Sequence, residues 1–78
     1  MINIKVLFFG SLEDISGCKE SKFTDFTNLD SLIKSLEISF PKLKGKTYQI
    51  AINKKIETKN INLNEGDEIA LLPPFAGG

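Results

Sequence analysis

The stretch that decides the fold is the strand pattern at residues 2–9, Ile2-Asn3-Ile4-Lys5-Val6-Leu7-Phe8-Phe9. Its even positions are all large and apolar, which is the alternation of a strand with one buried face. Two odd positions, Leu7 and Phe9, are apolar as well. The end of this strand is therefore predicted to be apolar on both faces.

The rest of the chain predicts further strands around one main helix. A helical turn at residues 12–16 is expected to end at Gly17, because glycine readily takes the left-handed conformation that follows a helix. Thr27 or Asn28 can cap the main helix, and Pro41 ends it. The helix carries a single apolar stripe with the spacing i, i+3, i+4, i+7 and i+11, namely Leu29, Leu32, Ile33, Leu36 and Phe40.

The order of elements predicts an α+β domain. Weak alternation at residues 19–26 indicates an edge strand, residues 48–53 and 68–72 indicate two more strands, and residues 54–57 form either a turn or a short strand. One helix can cover one face of the resulting mixed sheet. If the first and last strands are neighbours in the middle, the fold is a β-grasp. We expect this domain to span residues 1–72.

The last six residues, Pro73-Pro74-Phe75-Ala76-Gly77-Gly78, are predicted to form a projecting, flexible tail. Proline cannot donate to a sheet ladder, so the two prolines end the last strand. Glycine has no side chain, so the two glycines could enter a channel too narrow for a Cβ. A frayed end explains such residues less well. The pattern favours a Gly78 carboxylate that another protein grips and uses.

Composition excludes several classes of function. The 78 residues contain ten lysines, no arginine and ten acidic residues, and the zero net charge argues against a nucleic-acid partner. No apolar run approaches the roughly 20 residues of a membrane span. The single cysteine, Cys18, cannot form an internal disulfide, so a cytoplasmic location is expected. Without histidine or a second cysteine, we expect no metal site and no catalysis by the chain alone.

Strand alternation also predicts an apolar surface on the side of the sheet away from the helix. If Ile4, Val6 and Phe8 face the helix, the side chains between them face away from it. The last strand follows the same rule. The residues predicted for this partner-binding surface are Leu7, Phe9, Ala70 and Leu72, with Ile56 as a candidate neighbour.

Three motifs make the chain resemble the small subunit of molybdopterin synthase, the MoaD family of ubiquitin-like sulfur carriers. Residues 5–9, Lys-Val-Leu-Phe-Phe, are similar to the first strand of the family. Ala51-Ile52-Asn53 is similar to its Val-Asn motif. The ending from Asn64 to Gly78 is similar almost throughout to the family's acidic turn, last strand, Pro-Pro pair and diglycine. The resemblance covers the whole chain and implies a β-grasp fold.

The resemblance also implies the chemistry. In this family an adenylating enzyme uses MgATP to convert the terminal carboxylate, here that of Gly78, to an AMP adduct. A sulfur donor then leaves a thiocarboxylate (1-thioglycine), and no separate cofactor is bound. The tail enters the large subunit, in an assembly of two small and two large subunits, and supplies sulfur to cyclic pyranopterin monophosphate. Gly77 gives clearance, and Phe75 stands where the family often has a smaller aliphatic residue.

Two related functions stay open from the sequence. Sulfur carriers of the thiamine pathway share the diglycine and the activation chemistry, but they usually lack a Pro-Pro pair such as Pro73-Pro74. A ubiquitin-like modifier would instead join its terminal glycine to lysines of target proteins. A plain interaction module, in which Gly78 is dispensable, is a third alternative.

Overall fold

A computed structural model describes residues 2–73 of the chain. The predictions for Pro74, Phe75, Ala76, Gly77 and Gly78 lie outside the described residues. The elements are β1 (Asn3–Phe8), α1 (Ser11–Ser16), β2 (Glu20–Thr24), α2 (Leu29–Ser39), a 3₁₀ turn (Pro41–Gly45), β3 (Gln49–Ile52), β4 (Lys55–Glu57) and β5 (Glu68–Leu72). Their order is the predicted one, and residues 54–57 contain a short strand.

The strands form one five-stranded mixed sheet in the order β2-β1-β5-β3-β4. The first and last strands are parallel neighbours at its centre, and the remaining pairs are antiparallel. This arrangement confirms the β-grasp prediction. It also confirms β2 as an edge strand, and the other edge is β4.

The main helix, α2, begins where its sequence can satisfy the free backbone N–H groups. The side-chain oxygen of Asn28 accepts the Ser31 N–H at 2.9 Å, so the cap is the second of the two predicted residues. The Phe40 N–H donates to the Leu36 carbonyl at 2.7 Å, and Pro41 then begins the 3₁₀ turn. These contacts confirm the predicted start and end of the helix.

The hydrophobic core lies between α2 and one face of the sheet. Leu32 and Leu36 of the helix are fully buried, and the Phe40 ring packs edge-on against Phe8 with ring centroids 5.8 Å apart. The sheet contributes its helix-facing side chains, Ile4, Val6, Phe8, Ile52, Ile69 and Leu71. The core therefore occupies one side of the sheet.

Within residues 2–73, the longest helix has 11 residues. None of the helices in this part of the chain has the length and apolar character that crossing a membrane requires.

Candidate functional site

The candidate site begins with the face of the sheet that α2 does not cover, which we call the open face. On this face, the pairing of the strands brings side chains from four strands into one apolar strip. Leu7 of β1 lies opposite Ala70 of β5, Ala70 lies opposite Ala51 of β3, and Ala51 lies opposite Ile56 of β4. Because paired residues point to the same side of a sheet, these four side chains form a continuous strip.

The predicted residues Phe9 and Leu72 lie beside this strip, toward the ends of β1 and β5. The Phe9 N–H donates to the Leu71 carbonyl at 3.1 Å, so Phe9 follows β1 beside the last residues of β5. The side chains of Phe9 and Ile56 are 45% and 47% exposed. Leu7, Ala70 and Leu72 are half-buried. The structure therefore brings together all five residues that the sequence predicted for this surface.

Ala51 also belongs to the open face, although it was not predicted to. Its neighbours Ile50 and Ile52 pair with the core residues Leu71 and Ile69, whereas Ala51 pairs with Ala70. Ala51 is nevertheless buried, because a lone methyl group between Ala70 and Ile56 is covered by its neighbours. The alternation of residues 50–52 carried this signal, but a small side chain contributes little to a hydrophobic pattern.

Charged residues border the apolar strip toward the start of β1. Lys5 lies opposite Glu68 of β5 and opposite Lys22 of β2, and Glu20 lies opposite Leu7. The open face thus has an apolar region near the ends of β1 and β5 and a charged margin beside it. An apolar centre with a polar rim is the usual composition of a protein interface.

The chain leaves the sheet at Pro73, which lies against the turn between β1 and α1. A Cβ added to Gly10 would stand only 2.8 Å from Cγ of Pro73, so the proline ring lies almost directly on the glycine. Gly10 has a φ of 57°, in the left-handed region that favours glycine. The start of the predicted tail is therefore next to Phe9 and the open face.

The other end of β5 is held by a polar network around the buried side chain of Asp67. The carboxylate of Asp67 accepts the Asn53 side-chain amide at 2.9 Å and the Asn64 backbone N–H at 2.8 Å. The Asn53 side-chain oxygen in turn accepts the Glu68 N–H at 3.0 Å. Every partner of this carboxylate belongs to the fold itself, so Asp67 has a structural role. In residues 2–73, no group of three or more His, Cys, Asp or Glu could hold a metal ion.

Two side chains outside the apolar strip have altered acidity. Burial, with the charge and hydrogen bonding of Glu37, raises the pKa of Tyr48 to about 12. The Asn3 backbone N–H, which donates to the carboxylate of Glu65, lowers the pKa of Glu65. Cys18 is half-buried before β2, with its Sγ 3.8 Å from Oγ of Ser16.

Comparison with known proteins identifies the family of the chain. The sequence profile of the ThiS family matches residues 6–78. A relative named molybdopterin synthase sulfur carrier subunit, from Mycobacterium tuberculosis, is 31% identical, and the match covers 100% of both chains.

Two solved structures are similar over nearly the whole chain. The small archaeal modifier protein 1 of Methanosarcina acetivorans is 26% identical with a TM-score of 0.83, covering 100% of this chain and 98% of that one. A chain from the complex of subunits 1 and 2 of the molybdopterin-converting factor of Helicobacter pylori is 28% identical with a TM-score of 0.77, covering 99% and 100%. The chain therefore belongs to the ThiS family, among the sulfur carrier subunits of molybdopterin synthase.

Proposed function

We propose that residues 1–72 form a docking body and that residues 73–78 form a tail that carries sulfur on Gly78. The observation that carries this proposal is the position of Pro73 against Gly10, the residue that follows Phe9 of the open face. A partner that covers Leu7, Phe9, Ala70 and Leu72 would also receive the chain where it leaves the sheet. Docking and sulfur transfer would then be two tasks of adjacent parts of one chain.

The proposed chemistry takes place at the main-chain carboxylate of Gly78. A carboxylate oxygen attacks the α-phosphorus of ATP on an adenylating enzyme, forming an acyl-adenylate and releasing pyrophosphate. Hydrosulfide (HS⁻), the simplest sulfur donor, then attacks the carbonyl carbon, AMP leaves with the electrons of the broken C–O bond, and loss of the S–H proton gives the thiocarboxylate. Activation is needed because an ionised carboxylate is a poor electrophile, whereas a mixed anhydride has a good leaving group. The product is 1-thioglycine, and the chain needs no separate cofactor.

The proposed partner of the open face is the large subunit of molybdopterin synthase. The similarity to a chain from the Helicobacter pylori complex supports a partner of this kind. In the proposed assembly of two small and two large subunits, the tail supplies sulfur to cyclic pyranopterin monophosphate. A reducing cytoplasm is the proposed location, since the sequence holds one cysteine only.

Conjugation to other proteins is the second candidate function. The similarity to the small archaeal modifier protein 1 supports it. Both functions begin with the same adenylate, and they differ in what displaces AMP, a sulfur donor or the amine of a lysine. Thiocarboxylate on the free chain supports the carrier, whereas bonds from Gly78 to lysines of other proteins support the modifier.

The decisive experiment measures the intact mass of the protein after incubation with MgATP, the adenylating enzyme and a sulfur donor. Replacement of oxygen by sulfur adds about 16 Da. Deletion of Gly78 should abolish the gain, because the shortened chain falls roughly 3.5 Å short of the activating site. One residue added after Gly78 should be as damaging, since it displaces the carboxylate.

A pull-down with the large subunit provides the control. Binding of the truncated protein should be near normal, because the open face and not Gly78 carries the docking. Normal sulfur loading without Gly78 would contradict the carrier function and leave a β-grasp interaction module.

A further inference from the structure

We propose that Gly10 is a positioning residue, which seats Pro73 and thereby sets the direction in which the chain leaves the sheet. The inference rests on the proposed function for what the tail carries. The geometry at the root of the tail, however, can be tested independently of that function.

The contact between Gly10 and Pro73 has no room for a side chain. A Cβ on Gly10 would meet three ring atoms of Pro73, at 2.8 Å from Cγ, 3.7 Å from Cδ and 3.9 Å from Cβ. Carbon atoms in van der Waals contact are normally about 3.5–4.0 Å apart. Because the proline ring is closed onto its own backbone nitrogen, a shift of Cγ larger than a change of ring pucker allows also displaces the main chain.

The turn that carries Gly10 cannot easily yield instead. On one side, the Phe9 N–H donates to the Leu71 carbonyl at 3.1 Å and ties the turn to β5. On the other side, the Leu12 and Glu13 N–H groups donate to the carbonyls of Phe9 and Gly10, each at 3.1 Å, and begin α1. Gly10 therefore lies between two anchored elements, and Pro73 is the freer partner of the contact.

The other described glycines with positive φ lack this feature. Gly17 and Gly66 have φ values of 79° and 84°, and a Cβ added to either would meet nothing within 4 Å. Their conformations require glycine for the backbone alone, whereas Gly10 is required both for the backbone and for its approach to Pro73. This difference separates a residue that shapes a turn from one that also places the tail.

Direction at the root matters because five residues follow Pro73 in the sequence. A segment of that length can span up to roughly 17 Å, so a small angular error at its root becomes a large displacement at its end. A misplacement of about 1 Å at a reacting group can cost on the order of a hundredfold in rate. The lack of a side chain at Gly10 would thus help to set the position of Gly78, through the direction of Pro73.

The test is a double-mutant cycle with a second glycine as control. Gly10→Ala adds the clash and the backbone strain of φ 57° and ψ −133°, whereas Gly17→Ala, at φ 79° and ψ 9° in the αL conformation, adds milder backbone strain and no clash. Both should lower the melting temperature, Gly10→Ala by more, but only Gly10→Ala should slow sulfur loading, by about tenfold. Pro73→Ala removes Cγ, so Gly10→Ala/Pro73→Ala should load no more slowly than Pro73→Ala alone. Equal loading by Gly10→Ala and Gly17→Ala, or additive losses in the double variant, would overturn the proposal.

Nuclear Overhauser effects between the Hα protons of Gly10 and the ring protons of Pro73 provide a measurement that needs no sulfur chemistry. They should be strong in the native protein and should be lost in Gly10→Ala while the contacts within β5 persist. If they are absent from the native protein, the proposal fails whatever the loading assay shows. If they are present but the native protein takes up no sulfur, the proposed function fails and the role of Gly10 in placing Pro73 stands.

Discussion

The two faces of the central strand β5 have similar side chains and different surroundings. Ile69 and Leu71 lie under α2 and are fully buried, whereas Ala70 and Leu72 lie on the open face and are half-buried. Burial of apolar surface stabilises a fold roughly in proportion to the area removed from water. The covered face therefore contributes most of the stability, and the open face keeps apolar area that a partner can bury. One face of the sheet thus stabilises the fold, and the other face is the one proposed to bind the partner.

The largest expected effect compares the neighbours Leu71 and Leu72. Leu71→Ala should lower the free energy of unfolding by about 2–5 kcal/mol, because it leaves a cavity in a packed core. Leu72→Ala should lower it by about 1 kcal/mol or less, since its side chain is already partly in water. Urea unfolding of the two variants measures both values, and equal losses would break the comparison between the two faces.

The second prediction concerns binding. Phe9→Glu should weaken association with the large subunit by about 2 kcal/mol or more, roughly thirtyfold, because it puts a charge in the apolar part of the open face. The matched control is Ile38→Glu, which alters an 81% exposed side chain on α2, away from the sheet. Titration calorimetry should show near-native affinity for the control.

Both variants of this pair should melt close to the native temperature. If Phe9→Glu binds normally, the docking surface lies elsewhere. If it unfolds instead, Phe9 belongs to the core and the assignment of the open face is inverted.

The sequence predicted the fold well, because its strongest signals are local. Alternation in residues 2–9 and the apolar stripe of α2 each come from one element, and each predicts which side is buried. The five predicted surface residues follow from the same alternation. Ala51 was missed because its small side chain adds little to the alternation of residues 50–52, and the contact between Gly10 and Pro73 could not be predicted because it depends on how closely two distant segments approach. A missing side chain leaves no pattern in a sequence.

A smaller effect is expected at Asp67, which lies at the start of β5 and is not a core hydrophobic residue. Asp67→Ala should lower the free energy of unfolding by about 1–3 kcal/mol, because it removes the two hydrogen bonds that the carboxylate accepts from Asn53 and Asn64, each contributing about 0.5–1.5 kcal/mol. Glu65→Ala is the control, since its carboxylate is exposed and its bonds to Asn3 compete with water. The control should lose less stability. A larger loss in Glu65→Ala would mean that the turn, and not the buried carboxylate, holds this end of β5.

The smallest effect tests the margin of the covered face, where the Tyr48 hydroxyl lies 3.4 Å from a carboxylate oxygen of Glu37 on α2. Burial and the Glu37 charge disfavour the tyrosinate, so they raise the pKa of Tyr48 from 10.0 to about 12 in the folded chain. The unfolded chain then loses this proton first, and stability falls as pH rises from about 10 to about 12. Below pH 10 the contribution of the protonated Tyr48 hydroxyl to stability is fully present.

Tyr48→Phe has no proton to lose, so its unfolding free energy should fall less over this interval. The lysines titrate in both proteins, so the difference between the two urea-unfolding profiles isolates Tyr48. Parallel profiles would mean that Tyr48 has the same pKa in the folded and unfolded chain. The edge of the helix-covered face would then be as open to water as the open face.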